Sequence, residues 1–340
     1  METLGGPGAT EPARSLVVMR FILLAACGLL LFPEARAEEP VRLIAFGSCF
    51  RPTSPAPIFD AVVASKPDVF LWMGDNIYGD TEDMEELRAK YQVAKELPAY
   101  VTLRESCRIF GTWDDHDYGV NDGGAEYPMR RESQKVLLDF LDEPADSPRR
   151  SQEGVYQRVD LGPQDQRVRI VLLDTRYHRD PIGSDGTILG EEQWKWLEDQ
   201  LVGSAAAMHV IVSSIQVLPK DHPHEKWANF PRERARLLAL LARADVPPVI
   251  ILSGDRHLGE ISVDAESCSY PLVDVTSSSL NRAGGGREDE VNSLRQGANL
   301  RTVNFGTLAI DWDQPVPTVT AALRNVEGVA EREISVAFKR

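Results

Sequence analysis

From Val41 onward the chain repeats one arrangement: a short, nearly continuous apolar run that breaks into polar chemistry at its C-terminal end, then a longer amphipathic or charged segment. The runs are "VRLIAFGSCF", "PDVFLWMGD", "SCRIFGTWDDHD", "VRIVLLDTRYH", "HVIVSSIQV" and "VPPVIILSGDRH". Between them, "IFDAVVASK", "TEDMEELRAKYQVAKEL", "GEEQWKWLEDQL" and "PRERARLLALLAR" carry helical patterns. A strand apolar on both faces must be covered on both, so the alternation predicts an α/β sheet packed between helices. Ligands in such folds sit outside the carboxyl ends of the strands, where every polar cluster falls. The later stretches "YPLVDVTSSS", "TLAIDWD", "TVTAALRN" and "EREISVAF" are strand-like with no helix between them. They predict a second, more antiparallel sheet packed on the first. "NRAGGGREDE" predicts a flexible loop and a candidate cover for the site. With no break in composition, one domain from about residue 40 to the end is expected.

Hydrophobic residues make up 43% of the 340, ample for a packed core. The net charge of −15 means that a nucleic-acid backbone or an anionic lipid surface would bind against the overall field, and no nucleic-acid-binding surface is expected. A small anionic substrate is not excluded, because a local cationic site outweighs distant surface charge.

Residues 1–37 read as a secretory signal. After Arg20 comes "FILLAACGLLLF", 12 uncharged residues, then Ala35-Arg36-Ala37 as a cleavage site. That run is shorter than the roughly 20 residues a membrane span needs, so no transmembrane helix is expected. Met19 is an alternative start, with "MR" supplying the positive end. Leu24-Ala25-Ala26-Cys27 also fits a lipoprotein processing site, although the apolar run continues past Cys27. The expected location is extracytoplasmic: the periplasm or the cell exterior. There the mature chain keeps Cys49, Cys107 and Cys268, an odd number that leaves at least one without an intramolecular partner. Sequence leaves open whether Cys107 and Cys268 pair.

Four strand-end clusters, "GSCF", "GDNIY", "WDDHDYG" and "SGDRH", together offer a thiol, several carboxylates, a phenol and two imidazoles. An aspartate after a strand is commonly a helix N-cap; four such clusters placed at the edge of one sheet are a metal-site inventory. Carboxylates alone suit calcium or magnesium. A phenolate with a thiolate, a carboxylate and an imidazole suits a strongly Lewis-acidic ion such as ferric iron.

"GDNIY", "WDDHD" and "SGDRH" resemble the motifs of the alkaline phosphatase D family, the PhoD-like branch of the calcineurin-like metallophosphatases, and Gly-Asp-x-x-Tyr is shared with the purple acid phosphatases. "LLDTRYHRD", "TSSSLN" and "NFG" extend the resemblance over nearly the whole mature chain. It implies a four-layer αββα sandwich, two mixed β-sheets flanked by helices, spanning residues 38–340. It also implies phosphoester hydrolysis at a site of Fe3+ with one or two Ca2+ ions, Zn2+ or Mn2+ being substitutes. Carried onto this sequence, the metal ligands are Cys49, Asp75 (shared between two metals), Tyr78, Asp115, Asp255 and His257. His116 becomes the histidine that contacts substrate and assists the leaving group. Arg176 is the first candidate for a cation on the phosphate oxygens and Arg179 the second; Asp174 orients such an arginine or caps a turn. Asp114, Gln216 and Asn76 are further candidates for metal or substrate contact. The superfamily places a ligand histidine in the segment that here reads "VSSIQVL", and Gln216 or a backbone carbonyl is left to fill that place.

The implied reaction is in-line attack on phosphorus by a metal-bound hydroxide, with fixed cations neutralising the equatorial oxygens. Phosphomonoesters and phosphodiesters, small or polymeric, are equally accommodated by that chemistry. The rival from another class is a catalytically silent extracellular calcium-binding protein on the same fold. A serine esterase is discounted, since no Gly-x-Ser-x-Gly elbow occurs.

Overall fold

The computed structural model describes residues 38–338; the expected signal segment and Cys27 lie outside them. The strands are β1 (Leu43–Gly47), β2 (Val69–Met73), β3 (Arg108–Thr112), β4 (Gln157–Leu161), β5 (Val168–Leu172), β6 (Met208–Val212), β7 (Val249–Ser253), β8 (Gly259–Asp264), β9 (Leu272–Ser277), β10 (Phe305–Asp311), β11 (Thr318–Arg324) and β12 (Ala330–Ala337). The helices are α1 (Ile58–Ala64), α2 (Met84–Lys95), α3 (Pro98–Ser106), α4 (Asp115–Tyr118), α5 (Arg130–Phe140), α6 (Gly190–Leu201) and α7 (Pro231–Leu241). No helix of the described residues is long and apolar enough to cross a membrane.

Two six-stranded mixed sheets form, in the orders β12-β11-β10-β1-β2-β3 and β4-β5-β6-β7-β9-β8. Period-two alternation within each strand divides its side chains between an inner and an outer layer. In β2, Val69, Leu71 and Met73 enter the layer between the sheets, while Phe70 and Trp72 enter the layer beneath the first set of helices. In β7, Ile250 and Leu252 face inward, and Val249 and Ile251 face α6 and α7. This double burial is why the runs are continuously apolar, and it produces the four-layer αββα sandwich.

The outer layers are pinned by aromatic side chains with satisfied polar tips. Trp72 donates to the Tyr100 hydroxyl at 2.9 Å. On the opposite side Trp194 of α6 donates to Glu233 of α7 at 2.9 Å, with Arg236 4.4 Å from its ring centroid. Trp194 is thus a packing residue between helices.

One expectation is corrected. The C-terminal strands do not make a separate sheet: β9 joins β7 in parallel, whereas β10, β11 and β12 extend the first sheet from β1. The β1–β10 register sets Phe46 opposite Gly306, where a Cβ would lie 2.1 Å from the Phe46 ring. Only glycine lets the ring lie across the neighbouring strand. Cys107 and Cys268 are both free thiols.

The polar clusters also come from two sheets, not one. Those after β1, β2 and β3 meet those after β5, β6, β7 and β9 across the seam, where Thr112 Oγ1 donates to the Leu173 carbonyl at 2.8 Å.

Candidate metal centre

The site is assembled by strand ends that turn abruptly. Gly74 ends β2 at φ 98°, and a Cβ there would lie 2.5 Å from the Cβ of Asp114. Cys49 (φ 59°), Asp75 (φ 50°), Asp255 (φ 70°) and His257 (φ 53°) all adopt left-handed backbone conformations. Each such non-glycine residue costs on the order of 1 kcal/mol or more and persists only where its surroundings require it. Their concentration at one place marks a built site.

One group of donors consists of Cys49, Asp75 and His257, with ligand atoms within 4.8 Å of one another. The buried Cys49 Sγ lies 3.3 Å from Asp75 Oδ2 and 3.0 Å from Ser278 Oγ. Tyr78 joins it, its hydroxyl 2.8 Å from His257 Nε2. A second group consists of Asp114, Asp115 and Asp255; Asp75, Asp115 and His116 form a third, so Asp75 reaches toward both sides. The six candidate ligands named from sequence therefore stand around one locus.

His116 bonds Asp80 through Nδ1 at 2.7 Å and packs its ring 4.4 Å from that of Tyr78. Burial pushes the imidazole down, but Asp80 and Asp115 outweigh it and hold His116 above the usual histidine range. His257 goes the other way: burial, then the charge of Arg282, lower it to about 4, which keeps the ring neutral and able to act as a ligand.

Asp117, to which the sequence assigned no role, ties two of these loops together. Its carboxylate accepts from the backbone N–H groups of Asp75 (3.2 Å), Asn76 (3.1 Å) and Asp114 (2.7 Å), and from the Tyr91 hydroxyl at 3.1 Å. Glu225 is a second unforeseen residue, buried beside two arginines. The signal for Asp117 was its place in "WDDHD", three residues past the N-cap Asp114 and so able to close a capping box.

Arg176 is wholly enclosed. Nε donates to Asp114 at 2.6 Å and Nη1 pairs with Glu225 at 2.6 Å. Arg179 pairs with the other Glu225 oxygen at 3.2 Å and donates to the Asp122 carbonyl. Both guanidiniums are engaged by the protein. Asp174 caps the turn, accepting from the N–H groups of Arg176 and Tyr177 at 2.9 Å each. Gln216 donates to Glu260 at 2.6 Å and to Thr276 at 2.7 Å, and Asn76 donates to the Thr112 carbonyl at 2.9 Å. Arg256 pairs with Glu290 at 2.5 Å, which brings the glycine-rich loop over the site. Gly285 and Gly286 of that loop, with Asp115, His116, Asp255 and His257, line a cleft of about 400 Å³.

Burial, reinforced by the crowding of carboxylates, dominates the electrostatics. Burial first, then repulsion from Asp115, Asp114, Asp117 and Asp255, drives Asp75 far above the ordinary carboxylate range. Burial, followed by Asp114 and Asp115, does the same to Asp255, and burial lifts Asp114 to about 7 despite Arg176. Asp75 Oδ1, Asp114 Oδ2 and Asp115 Oδ1 are buried without a hydrogen-bond donor. Such oxygens are costly unless something positive meets them. The donor set fits a pair of cations, one with mixed sulfur, nitrogen and oxygen ligands and one with oxygens alone.

The family model of the PhoD-like phosphatases matches residues 44–305. Alkaline phosphatase D of Bacillus subtilis (strain 168) is 24% identical over 239 residues, which cover 57% of this chain and 40% of that protein; the chain thus spans less than half of that relative's length. Among solved structures, that of PhoD superposes with a TM-score of 0.69 at 18% identity, covering 88% of this chain and 69% of the other. GAP50, the anchor in the inner membrane complex of Plasmodium, gives 0.62 at 13% identity, covering 89% and 90%. At these identities the likeness establishes the fold.

Proposed function

The chain belongs to the PhoD-like phosphatase family, and from that premise we propose that it is an extracytoplasmic, metal-dependent phosphoester hydrolase acting on phosphomonoesters or phosphodiesters. The observation that carries the reading is the convergence of Cys49, Asp75, Tyr78, Asp115, Asp255 and His257, with orphaned carboxylate oxygens among them. Cys49, Tyr78 and His257 would hold iron, Asp114, Asp115 and Asp255 would hold calcium, and Asp75 would be shared between them. When bound, such a pair supplies Lewis acidity, which acidifies water and neutralises phosphate oxygens.

The protein's own groups supply the rest. His116, whose protonated form Asp80 favours, donates a proton to the departing alkoxide as the P–O bond breaks in line with the entering oxygen. Asp117 fixes the strand ends that carry Asp75 and Asp114. Arg176 offsets part of the charge of Asp114 and Glu225, which lowers the cost of ionising carboxylates that bound cations would complete. The Arg256–Glu290 pair secures the loop that narrows the cleft.

A catalytically silent calcium-binding protein is the second reading, since the same cluster of orphaned carboxylate oxygens would serve an oxygen-liganded cation without turnover. Hydrolysis of a chromogenic phosphomonoester and phosphodiester separates the two. The hydrolase reading expects turnover that a chelator abolishes and added metal restores. Absence of turnover in metal-replete protein, with calcium still bound, would favour the silent reading.

A further inference from the structure

A phosphoryl group entering this site meets Asp75, Asp114, Asp115 and Asp255, so fixed cations are needed beside it. Arg176, Arg179 and Arg256 are each neutralised by a carboxylate of the protein. Lys90 is likewise committed, bonded to Glu86 and the Gly79 carbonyl. Two guanidiniums at the site have no carboxylate partner among the described residues: Arg51, two positions after Cys49, and Arg282, in the loop that follows β9.

Both lie against the same aromatic ring. The guanidinium carbon of Arg282 is 4.8 Å from the Tyr78 ring centroid and that of Arg51 is 5.2 Å from it. Tyr78 in turn touches His257 and faces His116. The two arginine-bearing loops are stitched together by Asn281: its Oδ1 accepts from Arg51 N at 2.7 Å, and its Nδ2 donates to Arg51 O at 2.9 Å. Arg282 bonds the Tyr78 side chain and keeps its Nε buried without an acceptor; Arg176, Arg179 and Arg256 also carry unmet donors, but each of those has a carboxylate beside it. Arg51 also lines, with Tyr78 and Asp80, a second cavity of about 310 Å³, whose lining is separate from that of the cleft holding Asp115, His116, Asp255 and His257.

We propose that Arg51 and Arg282 form the anion clamp of this site, holding the non-esterified oxygens of a substrate or product phosphoryl group. The proposal rests on the phosphoester-hydrolase reading and reassigns the role that sequence gave first to Arg176. Arginine suits the task because its planar fork offers paired donors to phosphate oxygens. The Asn281 stitch holds the two forks in place before an anion arrives, which reduces the ordering cost of binding.

The test uses the full metal-replete chain and inorganic phosphate as the probe. Phosphate affinity is measured by calorimetry, and KM and kcat by ester hydrolysis, for wild type, Arg51→Ala, Arg282→Ala and the two lysine variants. Each alanine change is expected to weaken phosphate binding about tenfold or more and to raise KM, with lysine recovering part of the loss. Metal content and circular dichroism should stay at wild-type values. Arg51→Ala leaves the backbone contacts to Asn281 intact, so it remains informative if Arg282→Ala folds poorly. Undiminished phosphate affinity in both alanine variants would overturn the clamp while leaving the hydrolase reading standing. Phosphate binding that the variants lose, in a protein that hydrolyses no ester, would support the clamp and remove the hydrolase reading. A wild type that neither binds phosphate nor hydrolyses esters would remove both.

Discussion

The hydroxyl of Tyr78 stands 2.8 Å from Nε2 of His257, although 179 positions separate them in the chain. One leaves the end of β2 and the other the loop after β7, so this contact joins the two sheets at the site. Burial holds the Tyr78 phenol well above its usual range, and a strongly Lewis-acidic cation is what would ionise it. Iron-loaded protein is therefore expected to show a visible phenolate-to-iron absorption band that disappears in Tyr78→Phe. An iron-loaded wild type with no such band would remove Tyr78 from the ligand set.

Asp117 accepts from three backbone N–H groups, so its replacement by alanine strands donors in a buried loop. Each unmet donor costs about 1–3 kcal/mol, and loss of an outer ligand-orienting group typically lowers metal affinity or activity about 10–100-fold. Asp117→Ala should lower stability in urea by several such increments and weaken metal binding, whereas Asp117→Asn, which keeps one oxygen, should be milder. Equal and wild-type-like behaviour of both would show that the loops hold themselves.

Arg176 is expected to report on stability before substrate affinity. Removing it leaves Asp114 buried without its cation and Glu225 with Arg179 alone, and breaking a buried ion pair costs about 3–5 kcal/mol. Denaturant unfolding of Arg176→Ala should show that loss. A variant of wild-type stability with a raised KM alone would instead place Arg176 on the substrate.

Away from the site, Asp274 accepts from Ser253 and from the N–H groups of Val217 and Leu218. Burial outweighs these bonds and lifts its carboxyl to about 6. A raised acid is favoured in its protonated form by folding, so its contribution is fully present at acid pH. It is lost as pH rises from the unfolded value near 4 through about 6, up to about 3 kcal/mol. Urea midpoints from pH 4 to 7 should therefore fall less steeply with pH in Asp274→Asn than in wild type. Parallel curves would refute the assignment.

Much of the architecture was legible because its signals are local. Doubly buried strands announce themselves as continuous apolar runs, and α2 and α7 carry their own periodicity and starting residues. The allocation of strands to sheets was not legible: β10 pairs with β1 across most of the chain, and nothing near Phe305 in sequence marks that partner. Likewise the motif residues could be named, because their chemistry is unusual after a strand. Which cations were free could not, since the carboxylate that neutralises both Arg176 and Arg179 is Glu225, in an unremarkable loop. Arg51 and Arg282 become visible only when those pairs are drawn.

The most direct test is the metal content of the purified chain, measured beside phosphoester hydrolysis, for wild type and Asp75→Asn. The account predicts more than one metal ion per active chain and loss of both metal and turnover when the shared carboxylate is neutralised. A fully active protein that carries no metal would contradict it.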